Sequence, residues 1–182
     1  MSNPIIESIA LTIIAFIFLA GSVRKLADLG SFEQAIASYE LTNDAITWSL
    51  SRLIPILELS AGSILLIPTM RETGALIAIG LLVFVTAAVV INLLRGRTEL
   101  SCGCGGFEED QPISWNLVLR NLTLIGLVGR AFLGKTETAF SWLDLVTIYA
   151  SSLVGFGIFA IGNQLSVNAI RLSNLSPARR ET

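Results

Sequence analysis

The chain has 182 residues, of which 53% are hydrophobic and 14% charged, and its mean hydropathy is +0.72; soluble domains carry about a quarter charged residues, so this composition belongs in a membrane. It contains no histidine, which removes the commonest metal ligand and the usual general base near neutral pH, leaving hydrolase triads, haem and zinc centres without their main residue. A net charge of -2 supplies no basic field to recruit nucleic acid.

A hydrocarbon core of roughly 30 Å needs about 20 apolar residues per helix, and five runs of that order can be counted. The first, residues 4–23, carries Glu7 near its start and is closed by Arg24-Lys25, whose stems can snorkel to the interface. It has neither a basic leader nor a small-residue cleavage site, so it is expected to remain as a span. Phe32, Ala35, Ile36 and Tyr39 then recur at helical spacing opposite Glu33, Gln34 and Glu40, which predicts a short amphipathic helix along the interface. Gly30 or Ser31 is the expected cap, and Asn43-Asp44 the closing turn.

The second run, residues 48–67, holds Pro55 and Glu58 within PILELSAG, so a backbone kink and a carboxyl group share membrane depth. A tight turn over residues 68–71 leads to the third run, 74–94, the plainest of the set. Residues 95–111 form the most polar connection: two arginines, the sequence Ser101-Cys102-Gly103-Cys104-Gly105-Gly106, and then Glu108-Glu109-Asp110. Pro112 and Ser114 suit the start of the fourth run, 115–133, which contains Arg120-Asn121. The fifth, 142–165, is rich in small residues suited to close helix packing. No repeat or soluble boundary interrupts this order. Residues 1–170 therefore read as one all-α membrane bundle of about five transmembrane helices, and 171–182, with Arg171, Arg179 and Arg180, as a loose basic tail.

Cys102 and Cys104 are the only cysteines. Gly103 between them permits a turn tight enough to bring the thiols together, and so small a ring would be strained and readily exchanged. The alternatives are inert thiols in a surface loop, or a metal or cluster site; a closed metal site would need two more soft ligands, which only a partner chain could bring. Glu108, Glu109 and Asp110 disfavour thiolate formation, so reactivity should depend on a docking protein. Glu58 reads either as a buried acid beside a quinone or substrate pocket, or as half of an interhelical pair with Arg24, Lys25 or Arg120. Arg120-Asn121 could cap loop carbonyls, but anchoring Glu58 is the favoured role.

Taken together, the five spans, Arg24-Lys25, the amphipathic stretch, PILELSAG, the Cys102-Gly103-Cys104 loop and Arg120-Asn121 resemble the MauE branch of the DoxX-like membrane proteins. The resemblance covers nearly the whole chain, and its most specific part is the combination of Glu58, Cys102, Gly103, Cys104, Arg120 and Asn121. It implies a DoxX-like four-helix core plus one helix, in the bacterial inner membrane. It also implies disulfide chemistry in methylamine utilisation, maturing the disulfide-rich small subunit of methylamine dehydrogenase beside a thioredoxin-like partner. One departure stands out: the family loop usually reads CGCFG, whereas here Gly105-Gly106 precede Phe107.

The expected function is thus a membrane thiol:disulfide redox protein. Cys102 and Cys104 would exchange electrons with a thioredoxin-like protein or a disulfide-containing client, and a quinone is a candidate cofactor. The competing reading is a non-catalytic subunit or assembly factor of a larger membrane complex. Orientation is contested. Arg24, Lys25, Arg95, Arg97, Arg171, Arg179 and Arg180 lie on the loop's side, against Arg71, Arg130 and Lys135 on the other, which by the positive-inside rule makes the loop cytoplasmic; disulfide traffic would put it on the oxidising side.

Overall fold

The computed structural model describes residues 4–100, 113–133 and 141–175. Cys102, Gly103 and Cys104 fall outside the described residues, as do Pro112, the connection 134–140 and the end of the tail. Six α-helices, α1 (Pro4–Ala27), α2 (Leu29–Ser38), α3 (Asp44–Leu65), α4 (Arg71–Leu94), α5 (Trp115–Leu133) and α6 (Trp142–Leu175), account for nearly all of this, with a single 3-10 turn at Pro68–Met70. Among the described residues there is no strand. This is an all-α membrane protein. Three segments, Ile5–Ala27, Pro68–Leu94 and Trp142–Leu165, are long and apolar enough to cross a bilayer.

The remaining long helices, α3 and α5, have 22 and 19 residues but carry polar side chains that are buried in the bundle, notably Glu58 and Asn121. The five apolar runs therefore fall on the five long helices, but the ends differ: α3 begins already at Asp44 and α4 at Arg71. The first helix continues through Arg24-Lys25 to Ala27, and α6 continues to Leu175, so Arg171 belongs to a helix and not to a loose tail.

Helix α1 is the hub. It packs against α3, α5 and α6, while α4 closes against α3 and α5. Lys25 meets Glu58 while Ala15 and Leu19 meet Gly62, so α1 and α3 run antiparallel. Ile9 and Phe16 meet Ser152 and Phe156, so α1 and α6 run parallel. At Gly62 a Cβ would stand 2.9 Å from Leu19 Cγ and 3.0 Å from the Ala15 carbonyl; the helices approach this closely because there is no side chain there. Leu11, Ile14, Ala15, Phe18, Ala61, Leu65, Ala78 and Val128 form the core between these helices. Thr12 and Thr86 satisfy their buried hydroxyls within their own helices, Thr12 donating to the Ser8 carbonyl at 2.8 Å and Thr86 to that of Leu82 at 2.5 Å.

The short amphipathic helix forms as expected, with Phe32 and Ala35 buried. Its cap is Asp28, not Gly30 or Ser31: the Asp28 carboxylate accepts from the Ser31 N–H at 3.0 Å and from its hydroxyl at 2.7 Å. A carboxylate serves both donors at once and suits the positive end of a helix. Asn43 caps the start of α3, accepting from the Ile46 N–H at 3.0 Å, and α2 has already ended at Glu40, whose φ of 49° breaks the helical path.

Candidate functional site

The cysteine loop leaves and rejoins the bundle under tight constraint. Gly96 adopts φ 75°, its N–H bonds the Leu93 carbonyl at 3.0 Å, and the Arg97 N–H bonds Asn92 at 3.1 Å. This pair of bonds is the Schellman arrangement, which requires a left-handed residue that glycine supplies without strain. The Arg97 guanidinium donates to the Glu40 carboxylate at the end of α2, and at the far side of the loop the Ile113 N–H donates to the Leu100 carbonyl at 2.9 Å. Residues 100 and 113 thus meet at one point, on the end of the bundle where α2 lies. Behind them Tyr39, Val89, Leu93, Ile113, Leu117 and Val118 form a second apolar cluster.

Three groups here have shifted ionisation. Hydrogen bonding and attraction from Arg97 hold the Glu40 carboxyl below its ordinary range, the Ser31 hydroxyl and N–H do the same for Asp28, and burial pushes the Tyr39 phenol up to about 12.

Deeper in the bundle lies a cavity of about 70 Å³ lined by Arg24, Lys25, Glu58, Arg120, Asn121 and Asn163 among apolar side chains that include Phe18, Phe156 and Phe159. Five charged or polar residues singled out in the sequence are therefore brought around one space, although they come from three different helices. Within it the Lys25 ammonium donates to both oxygens of Glu58, at 2.5 and 2.7 Å, and lies 5.2 Å from the centre of the Phe32 ring. Arg120 does not anchor Glu58. Its Nη1 donates to Asn163 Oδ1 at 2.9 Å, its Nε is buried without an acceptor, and the neighbouring Asn121 donates to the Thr86 hydroxyl at 3.1 Å. Lys25 takes the glutamate because it lies on the buried side of α1, whereas Arg24, one position earlier, is exposed; consecutive helical residues point about 100° apart.

Asn163 and Thr86 take part in this constellation without having been singled out, and Phe32, expected only on the apolar face of the amphipathic helix, joins them. The signal for Asn163 was available: Gly162-Asn163-Gln164 interrupts an apolar run, and polar groups inside a span mark inward-facing positions. Among the described residues no group of acids or cysteines could hold a metal ion.

The model of a family described as methylamine utilisation protein MauE matches residues 2–134. The chain belongs to the MauE family. It is 33% identical over 114 residues to the methylamine utilization protein MauE of Paracoccus denitrificans, an alignment covering 63% of this chain but 61%, less than two thirds, of that one. With the protein of the same name from Paracoccus versutus it shares 28% identity over 166 residues, 91% of this chain and 89% of the relative. The Methylorubrum extorquens protein of that name is 26% identical over 183 residues, 95% of its length. No solved structure matches. The MauE match covers α1 to α5 and ends before α6, so every helix around the cavity except α6 lies within the family region.

Proposed function

We propose that this MauE-family protein is a membrane thiol:disulfide redox component of methylamine utilisation, residing in the bacterial inner membrane and using Cys102 and Cys104 as its exchanging pair. The observation that carries the reading is the fixed base of the cysteine loop. A Schellman turn, the Arg97–Glu40 ion pair and the Leu100–Ile113 bond hold both ends of the segment at one end of a helical bundle. Ends fixed in this way keep Cys102 and Cys104 within a few residues of one end of the bundle, where a docking protein can meet them.

The proposed exchange balances within itself. A thiolate of a thioredoxin-like partner attacks one sulfur of the Cys102–Cys104 disulfide, forming a mixed disulfide and releasing the other sulfur as a thiolate. The partner's second thiol then attacks the mixed disulfide, so the partner is oxidised to a disulfide while Cys102 and Cys104 become a dithiol, with two electrons and two protons transferred. The reverse sequence reduces a client disulfide. A membrane quinone, taken to the quinol by two electrons and two protons, is the proposed acceptor that regenerates the oxidised pair. The Lys25–Glu58 pair, Arg120 and Asn121 hold the bundle beneath the loop.

Single Cys102→Ser and Cys104→Ser variants, trapped in membranes with acid and alkylated, test this reading. One variant should accumulate a mixed disulfide that reductant dissolves, and the wild-type pair should shift between oxidised and reduced forms when quinone is added or depleted. A pair permanently locked or permanently free, with no trapped partner, refutes it.

A second reading, a non-catalytic assembly factor, draws on α6. Only 11% of its apolar window is buried within the chain, and Gly157 and Gly162 have open space where a Cβ would stand, a face on which another helix could pack. Normal thiol traffic in cells carrying Cys102→Ser/Cys104→Ser would favour this reading.

A further inference from the structure

The cavity between the helices contains a cation for which the described residues supply no counter-ion. Lys25 is neutralised by Glu58. Arg120 donates from Nη1 to the uncharged Asn163, its Nε finds no acceptor, and among the described residues no carboxylate lies within ion-pair distance of it. A guanidinium held in a bundle at membrane depth is costly unless it is paired, and arginine's planar fork is the side chain best matched to phosphate or carboxylate oxygens.

The route into this cavity is lateral. Among the described residues α5, which carries Arg120, and α6, which carries Asn163, do not pack directly on each other; α6 leans on α1, and α5 on α1 and α4. The Arg120–Asn163 hydrogen bond crosses that cleft. Both helices expose apolar side chains to the bilayer, Leu119 and Leu122 on one and Ile158 and Ile161 on the other, and Phe156 and Phe159 carry the apolar lining inward. A ligand entering here comes from hydrocarbon, with an apolar chain along the cleft and a polar head at Arg120.

We propose that the cavity binds the anionic head, phosphate or carboxylate, of a membrane amphiphile that enters between α5 and α6 and supplies the counter-ion that the described residues do not give Arg120. A neutral carbonyl head, such as a quinone's, could accept from Nε but would leave the charge uncompensated. The proposal is independent of the thiol reading.

Native mass spectrometry of the full-length protein in detergent, titrated with dioleoylphosphatidylglycerol, dioleoylphosphatidylcholine, decylubiquinone or inorganic phosphate, provides the test. The acidic lipid should bind about fivefold or more tightly than the zwitterionic one, the order expected for one arginine meeting an anionic head. Arg120→Gln should abolish that preference and Arg120→Lys retain most of it. Ala20→Phe, which adds bulk to the cavity lining and leaves every charged residue in place, should weaken binding of the acidic lipid; with Arg120→Lys it keeps the test decisive should Arg120→Gln fail to fold. Equal binding of the two phospholipids overturns the proposal. So does a preference that survives in folded Arg120→Gln, displacement of the acidic lipid by decylubiquinone, or occupancy by inorganic phosphate that excludes the lipid.

Discussion

Replacing Lys25 with methionine should be among the most damaging single changes the bundle can suffer. The Lys25 side chain is 5% exposed and that of Glu58 12%, with 2.5 Å between the ammonium and the nearer oxygen. Lys25→Met leaves the carboxylate buried without its partner, and breaking a buried pair from one side costs about 3–5 kcal/mol. Glu58→Gln should be milder, at about 2 kcal/mol, because the amide oxygen still accepts from Lys25 and the Phe32 ring still faces the ammonium. The double variant Lys25→Met/Glu58→Leu removes both charges and should recover to within about 1–2 kcal/mol of wild type. For a chain of this size about 1 kcal/mol corresponds to roughly 2–4 °C in Tm, so Lys25→Met should melt about 10 °C early. Circular dichroism of detergent-solubilised protein on heating measures the series. If Lys25→Met melts with wild type, or if the double variant falls as far as Lys25→Met, the pair is not what the geometry makes it.

Four further outcomes concern other parts of the chain. Gly62→Val should cost about 2 kcal/mol by overpacking the α1–α3 contact, because the Ala15 carbonyl cannot move aside. Gly155→Ala, whose closest neighbour would be Cδ1 at the end of the Ile13 side chain, should stay within about 1 kcal/mol of wild type in the same melt. The carboxyls of Asp28 and Glu40 titrate below their ordinary 3.8 and 4.5, so their support for α2 is complete above those values and is lost as pH falls through the lower folded ones; protection of residues 28–43 from hydrogen exchange, taken relative to the intrinsic rate at each pH, should fall over that range, and less so in Asp28→Asn/Glu40→Gln. An impermeant thiol reagent applied to intact cells after reduction should label Cys102 and Cys104 if the loop faces the oxidising side, whereas labelling only after lysis places it in the cytoplasm.

Much of the architecture could be read from composition alone, because a bilayer forces long apolar runs into helices and each run in this chain became one. The ends were harder. Arg24 and Lys25 look like an interfacial stop, yet the helix passes through them, since Lys25 finds its partner sideways on α3 and has no need to reach water. Spacing offered three cations for Glu58 and could not choose among them; the choice depends on which residue of α1 faces α3, a property of the packed pair. The assignment of Arg120 to Glu58 failed for the same reason, because its acceptor lies on α6, 43 positions along the chain. The cap at Asp28 was missed because Gly30 and Ser31 fit the usual preferences, whereas an acid one residue ahead of the helix serves two donors together.

The hub position of α1 also sets an order of events during synthesis. Its partners α3, α5 and α6 all emerge later, and 33 positions separate Lys25 from Glu58. At about 5–20 residues per second that interval lasts roughly 2–7 seconds, during which an ammonium destined for the interior has no carboxylate to meet. The first helix should therefore linger at the insertion machinery, or near the membrane surface, until α3 arrives. The two would then settle into the bilayer as a neutral pair, ahead of the helices that complete the cavity.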